Sequence, residues 1–180
     1  MLNSTKTQKI KIVLLMLCTS LSIYSCKDDR NAEYQFTNQE FVERAASSNK
    51  FEIEAGKLAL SKGVRAEVKE YGEHMVMDHG MATTELKTIA GGKGLFVPEQ
   101  LMEKEQTNLN ALAQLSGTAF DKEFARMMVV SHQETISLFE TAAGPDGVPD
   151  TDLRTMASNK LPTLRSHLTE AMTLQTMVNQ

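Results

Sequence analysis

An all-α four-helix bundle with a helical crossover connection is the fold this sequence predicts, and three observations predict it. Apolar residues recur at spacings of three, four and seven along four stretches of about 25 residues each. The composition has only 6% aromatic residues, no Trp and 11 Met, and it is rich in Ala, Leu, Glu and Lys, all of which favour helix over sheet. No run alternates apolar and polar residues as a half-buried strand does, and no internal repeat is present. The length of 180 residues suits one domain with a real core and hardly two.

Residues 1–25 stand apart from the fold. Lys6, Lys9 and Lys11 form a positive leader, followed by an apolar stretch from Ile12 to about Leu21. That stretch is too short to span a bilayer stably, so it reads as a cleaved signal. Ile23-Tyr24-Ser25-Cys26 resembles the lipobox of bacterial lipoproteins, with an aliphatic residue three before the Cys and a small residue just before it. Cys18 follows the large Leu17 and fits that site poorly, so Cys26 is the expected lipid acceptor. Two or three acyl chains on Cys26 would hold the protein to a membrane, where one chain binds only marginally. Lys27-Asp28-Asp29 resembles a short export signal of surface-exposed bacterial lipoproteins, which leaves two locations open: the cell surface and the periplasmic face of the outer membrane.

Loss of residues 1–25 removes three Lys and no acid, shifting the net charge from −4 to −7. A chain this acidic has no electrostatic footprint for nucleic acid. After cleavage Cys26 is the only thiol, so no disulfide or thiolate metal site remains.

Residues 26–36 form a lipidated polar tether, and residues 37–178 the helical domain. Thr37-Asn38-Gln39-Glu40 reads as a capping box, opening a first helix from about Asn38 to Ser61 that ends near Gly63. A second helix runs from about Val64 to Ala90 on the stripe Val68, Tyr71, Met75, Ala82, Leu86 and Ile89, and Gly91-Gly92 with Gly94 closes it. Pro98 suits the start of a third, shorter helix reaching about Ser116. The fourth spans about Thr118 to Ala143, and the Gly144-Pro145-Asp146-Gly147 turn separates it from a fifth, about Asp150 to Val178. Pro162 lies within the fifth and is expected to kink or divide it. Helices of this length give a bundle of ~35–40 Å. Two antiparallel hairpins joined by the short third helix make the topology ferritin-like.

Four polar residues stand out, one on each long helix: Glu54, His79, His132 and His167. In the crossover topology the second and fourth helices run parallel. His79 and His132 therefore sit at nearly the same height, with His167 within about two turns and Glu54 roughly two turns higher. Neutral imidazole is the commonest metal ligand, and bundles build metal sites from facing helices. The expected cofactor is a transition metal: zinc, iron, manganese or copper. A second reading makes them core histidines bonded to neighbours such as Asp78, Ser131 or Glu134. A di-iron centre needs Glu-x-x-His on two helices, but Val76, Val129 and Leu164 precede the three histidines by three. Met75 and Met128 each precede a histidine by four and would suit Cu(I), or else they fill the core. Asp78 and Asp121 read as caps or histidine partners. Gly91-Gly92-Lys93-Gly94 lacks the spacing of a phosphate-binding loop, no nucleophile arrangement occurs, and no catalytic residue is assigned.

The blocks Phe41 to Ala46, Glu54 with Gly56-Lys57-Leu58-Ala59, Met75-Val76-Met77-Asp78-His79, Phe120-Asp121, Met128 to His132, and Leu161-Pro162 with His167 fit one pattern. The chain resembles the bacterial domain of unknown function 4142 family over about residues 37–175. The resemblance implies a ferritin-like fold and an exported location, and supplies no activity. Function thus reads as a non-enzymatic binding or envelope module on the outer membrane, with a metal-binding or metal-dependent redox bundle as the alternative.

Overall fold

Thr37 opens the first helix as its sequence requires. Its hydroxyl accepts from the Glu40 amide at 3.1 Å while its own amide donates to Glu40 Oε2 at 2.8 Å. The computed structural model describes residues 34–180; the signal segment, Cys26 and Lys27-Asp28-Asp29 lie outside the described residues. The helices are α1 (Asn38–Lys62), α2 (Ala66–Gly91), α3 (Glu103–Ala113), α4 (Gly117–Ala143) and α5 (Thr151–Val178), with no strand among the described residues.

Hydrogen bonds at the two ends fix the helix directions. Asn38 Oδ1 accepts from the Asp150 amide at 3.0 Å, and Lys93 pairs with Asp150 at 2.8 Å. The start of α1, the end of α2 and the start of α5 therefore share one end. At the other end Asp121 of α4 accepts from the amides of Val64 and Arg65, both at 3.0 Å, and Lys62 donates to the Leu115 carbonyl at 3.3 Å. Asp121 thereby caps α2, whose own N-cap Arg65 offers no acceptor. Helices α1 and α2 form one hairpin, α4 and α5 the other; α1 also packs on α4 and α2 on α5. The fold is a ferritin-like bundle, as expected from the sequence.

Two elements depart from expectation. The third helix starts at Glu103 rather than at Pro98. The Phe96 amide is taken by Gln39 Oε1 at 3.1 Å and the Met102 amide by Ser47 Oγ at 2.9 Å. Side chains of α1 thus hold this stretch of crossover non-helical, while Leu95, Val97 and Leu101 pack on the core. Pro162 does not divide α5. The carbonyl it deprives of a partner belongs to Ser158, an exposed residue. Gly117, at φ +62°, takes the left-handed turn before α4 that glycine adopts without strain.

The interior holds two apolar clusters. One includes Phe41, Leu86, Phe139 and Leu153; the other includes Tyr71, Met75, Phe120, Phe124 and Met128. Asn49, Glu52, His79, Ser131, His132, Thr135 and His167 are also buried, and none belongs to either cluster. These polar side chains form the layer that carries the chemistry.

Candidate metal centre

Each histidine reaches the layer because its helix turns one apolar stripe inward and the histidine falls on it. His79 lies four residues beyond Met75 on α2, His132 four beyond Met128 on α4, and His167 three beyond Leu164 on α5. All three are buried, at 3%, 0% and 4% exposure. Their ring centroids are 5.4–5.6 Å apart. One ring nitrogen from each lies within 4.8 Å of the other two. The level expected from parallel α2 and α4 is met, and His167 joins at the same height.

Hydrogen bonding assigns a role to each nitrogen. His132 Nδ1 donates to the Met128 carbonyl at 2.8 Å. His167 Nε2 lies 2.9 Å from Asp78 Oδ2. His79 Nδ1 faces Asn49 Oδ1 at 3.0 Å, with Glu52 Oε2 also 3.0 Å away. These partners are acceptors, so those nitrogens carry the hydrogens and the opposite ones present lone pairs. His79 Nε2, His132 Nε2 and His167 Nδ1 are buried without a hydrogen-bond partner. Tyr71 adds support from below, its hydroxyl donating to the His167 carbonyl at 3.1 Å. Burial, and then the Glu52 charge, push the Tyr71 phenol upward, so it stays a neutral donor.

Glu52 is the functional residue that sequence reasoning missed. It is fully buried, accepts from Ser131 Oγ at 2.9 Å and lies 3.7 Å from His132 Nδ1. Burial pushes its carboxyl up, but His79, His132 and the Ser131 hydroxyl outweigh that and hold it below the ordinary carboxylate range. Among the described residues no Lys or Arg pairs with it. Burial pulls His132 downward against the attraction of Glu52, and pulls His167 downward against Asp78, favouring the neutral, ligating form.

Glu54 is not brought into this layer. It pairs with Lys57 at 2.9 Å and its side chain is 35% exposed. Two residues along a helix is about 200° of rotation, so Glu52 and Glu54 point to nearly opposite sides. A signal for Glu52 exists in Phe41, Ala45, Asn49, Glu52, Gly56 and Ala59, spaced by three and four and all buried. Asp121 caps α2, while Asp78 holds His167. Met75 and Met128 pack in the apolar cluster.

The chain matches the model of the family described as "Domain of unknown function (DUF4142)" over residues 26–174. The chain belongs to this family. No curated protein matches it. Among solved structures it is similar to a DUF305 fragment from Deinococcus radiodurans, with TM-score 0.63 and 12% identity over 78% of this chain and 93% of that one. It is equally similar to CopM in the Cu(I)-bound form, with TM-score 0.63 and 20% identity over 77% of this chain and 95% of that one. For CopM in the Cu(II)-bound form the TM-score is 0.63 and the identity 20%, over 78% and 98% of the two chains. At these identities the likeness establishes the shared helical fold.

Proposed function

We propose that this member of the family is an envelope lipoprotein whose bundle binds one transition-metal ion through His79, His132 and His167. The observation that carries the reading is a count of orphans. Among the described residues four buried side-chain polar atoms have neither a hydrogen-bond nor an ion-pair partner, one each on Asn49, His79, His132 and His167, and all four belong to one layer; Glu52 Oε2, also without a hydrogen bond, lies 3.0 Å from His79 Nδ1. Buried polar groups are otherwise almost always paired.

Three of the four are bare imidazole nitrogens, on the three histidines that each bring one ring nitrogen within 4.8 Å of the others. One water has two hydrogens and cannot satisfy three acceptors; a cation satisfies all three at once. At the ~2.0–2.1 Å bond length of imidazole ligands, three tetrahedrally disposed nitrogens lie about 3.3 Å apart. From the 4.8 Å limit, each ring needs an inward shift of at most about 1 Å. The partners behind the rings, Asp78 on His167 and Asn49 with Glu52 on His79, match the outer contacts that orient metal-ligating histidines.

Three imidazoles suit zinc, copper or iron(II), whereas manganese prefers oxygen donors. The similar structures described as Cu(I)- and Cu(II)-bound make copper the first ion to test. A bundle that merely docks a partner accounts for the fold and leaves the orphaned nitrogens without a purpose. Attachment through Cys26 rests on the leader and the Ile23-Tyr24-Ser25-Cys26 pattern.

The test is elemental analysis of the full chain, purified in detergent without a histidine tag and then titrated with each metal. One ion per chain is expected, lost in each of His79→Ala, His132→Ala and His167→Ala. A wild-type chain that takes up none of these metals stoichiometrically overturns the reading. Fatty-acid labelling that survives Cys26→Ser overturns the anchor.

A further inference from the structure

The interior layer leaves one group of metal-binding side chains on the outside of the bundle unused. His74, Met77 and Met81 lie on α2 at spacings of three and four. At about 100° per residue they fall within about 60° of arc, so they share one face, with neighbouring Cβ atoms about 5–6 Å apart. That face points outward. Met77 is 55% and Met81 63% exposed, and the His74 side chain is 46% exposed. Neither methionine belongs to either apolar cluster, in contrast to Met75 and Met128, which fill the core. Core packing therefore does not account for them, and both thioethers remain free to turn.

Helix geometry lets the three converge. A helical side chain leans toward the N-terminus, so Met81 leans toward Met77. Ligands four apart, like the two methionines, and three apart, like His74 and Met77, are the spacings by which one helix gives two ligands to one ion. His74 is held from behind. Its Nδ1 lies 3.6 Å from Glu170 Oε2 of α5, whose other oxygen accepts from Ser166 Oγ at 3.1 Å. A carboxylate facing one ring nitrogen orients an imidazole and leaves the other nitrogen, here Nε2, for a metal.

Donor chemistry names the ion. Two thioethers and an imidazole make a soft set, suited to Cu(I) and its redox-inert counterpart Ag(I) and unsuited to magnesium or calcium. Among the described residues there is no cysteine, so thioethers are the softest donors this domain has. Charge favours a cation as well. From residue 70 to residue 86, α2 carries Glu70, Glu73, Asp78 and Glu85 and no Lys or Arg.

We infer that His74, Met77 and Met81 form a second site, on the surface of α2, that takes one soft monovalent cation, Cu(I) or Ag(I). The site is separate from the interior histidines and does not depend on their occupancy. Divalent ions report the interior site, since they favour nitrogen and oxygen donors over thioethers.

Ag(I) is the probe, titrated in chloride-free buffer into the full chain in detergent, with its methionines carrying a carbon-13 label on the methyl group. The methyl resonances of Met77 and Met81, assigned from Met77→Leu and Met81→Leu, should shift together and saturate with one ion at this site. Leucine keeps size and helix propensity at these exposed positions, so unfolding midpoints should not move. Each Leu variant, and His74→Gln, should weaken Ag(I) at the remaining ligands by roughly tenfold or more. Ag(I) held only by the interior histidines would leave both methyl resonances in place. That result overturns the inference and leaves the interior reading standing. Undiminished affinity at the remaining ligands in any one of the three variants overturns the three-ligand site. Methyl shifts that persist in a chain whose interior loads no metal overturn the interior reading alone.

Discussion

Replacing Glu52 by Gln removes a negative charge from a fully buried position while preserving shape and the oxygen that accepts from Ser131. The carboxylate lies 3.0 Å from His79 Nδ1 and 3.7 Å from His132 Nδ1, so two of the three proposed ligands lose their anionic backing together. Loss of such an outer partner costs about 10–100-fold in metal affinity, or ~1.4–2.7 kcal/mol. The consequence for stability follows from mass action. At a free metal concentration one hundred times the wild-type dissociation constant, binding stabilises the fold by ~2.7 kcal/mol. A tenfold weaker variant gains ~1.4 kcal/mol under the same conditions, and a hundredfold weaker one ~0.4 kcal/mol. Calorimetric titration gives the affinity, and denaturant unfolding with and without metal gives the gain. Glu52→Gln that binds metal within twofold of wild type refutes the role assigned to this carboxylate. Glu54→Gln is the matched control, since Glu54 pairs with Lys57 outside the layer, and it should change affinity by less than twofold.

Three further predictions concern the scaffold. At the α1–α2 crossing a Cβ on Gly72 would sit 2.7 Å from Ala59 Cβ and 2.9 Å from the Gly56 carbonyl oxygen. Gly72→Ala should therefore cost up to about 2 kcal/mol in denaturant unfolding, overpacking of ~1–3 kcal/mol being offset in part by the ~1 kcal/mol helix gain, whereas Gly80→Ala, with nothing within 4 Å, should stabilise by ~0.5–1 kcal/mol. Asp121→Ala strips the only side-chain acceptors from the Val64 and Arg65 amides and should cost ~1–3 kcal/mol, while Asp121→Asn, which still offers an acceptor, should recover part of it. Asp150 caps α5 and pairs with Lys93. Burial raises its carboxyl, but bonds from Lys93, Leu153 and Asp152 bring it below the ordinary value. A depressed folded value makes the ionised form the stabilising one. Its contribution is therefore fully present above about pH 4 and is lost as pH falls through the lowered value. Asp150→Ala should cost ~1 kcal/mol at pH 7 and less at pH 2, read from unfolding midpoints at the two pH values.

Much of the architecture is legible in the sequence because helix periodicity and caps are local signals. The Thr37–Glu40 box, the glycines after α1 and α2, and Asp150 mark helix ends within a residue or two of where they fall. Crossover topology then predicts that His79 and His132 are level, and their rings stand 5.6 Å apart. The carboxylate is harder, because choosing between Glu52 and Glu54 needs the absolute rotation of α1. The pair Phe51 and Leu58 suggests one stripe, yet Leu58 is only partly buried and the small residues Ala45, Gly56 and Ala59 define the closer contact. Small residues carry little hydrophobic signal but permit close approach of helix backbones, as at Gly56 and Gly72. The start of α3 was hidden for a different reason. Gln39 and Ser47, more than 50 residues away in sequence, bind the backbone of the crossover, and no local pattern announces that.

A polar layer between two apolar clusters is an expensive way to build a bundle. Each buried polar group without a partner costs about 1–3 kcal/mol, while a whole domain of this size is stable by about 5–15 kcal/mol. Four such atoms in one layer are comparable to the entire margin. Leu or Met at these positions would extend the apolar core through the middle of the molecule without that cost. The nature of the orphans narrows what offsets it. Three are nitrogens with lone pairs, and one is an N–H donor. A protein partner on the outer surface cannot reach them, since Glu52 and His132 have no solvent exposure. The proposed cation would meet the three lone pairs at once. The same imbalance explains why the missing Glu-x-x-His pairs matter: one internal carboxylate, Glu52, stands behind the histidines rather than between two metals. On the single-ion reading proposed above, the stability of the bundle should rise and fall with occupancy of the layer.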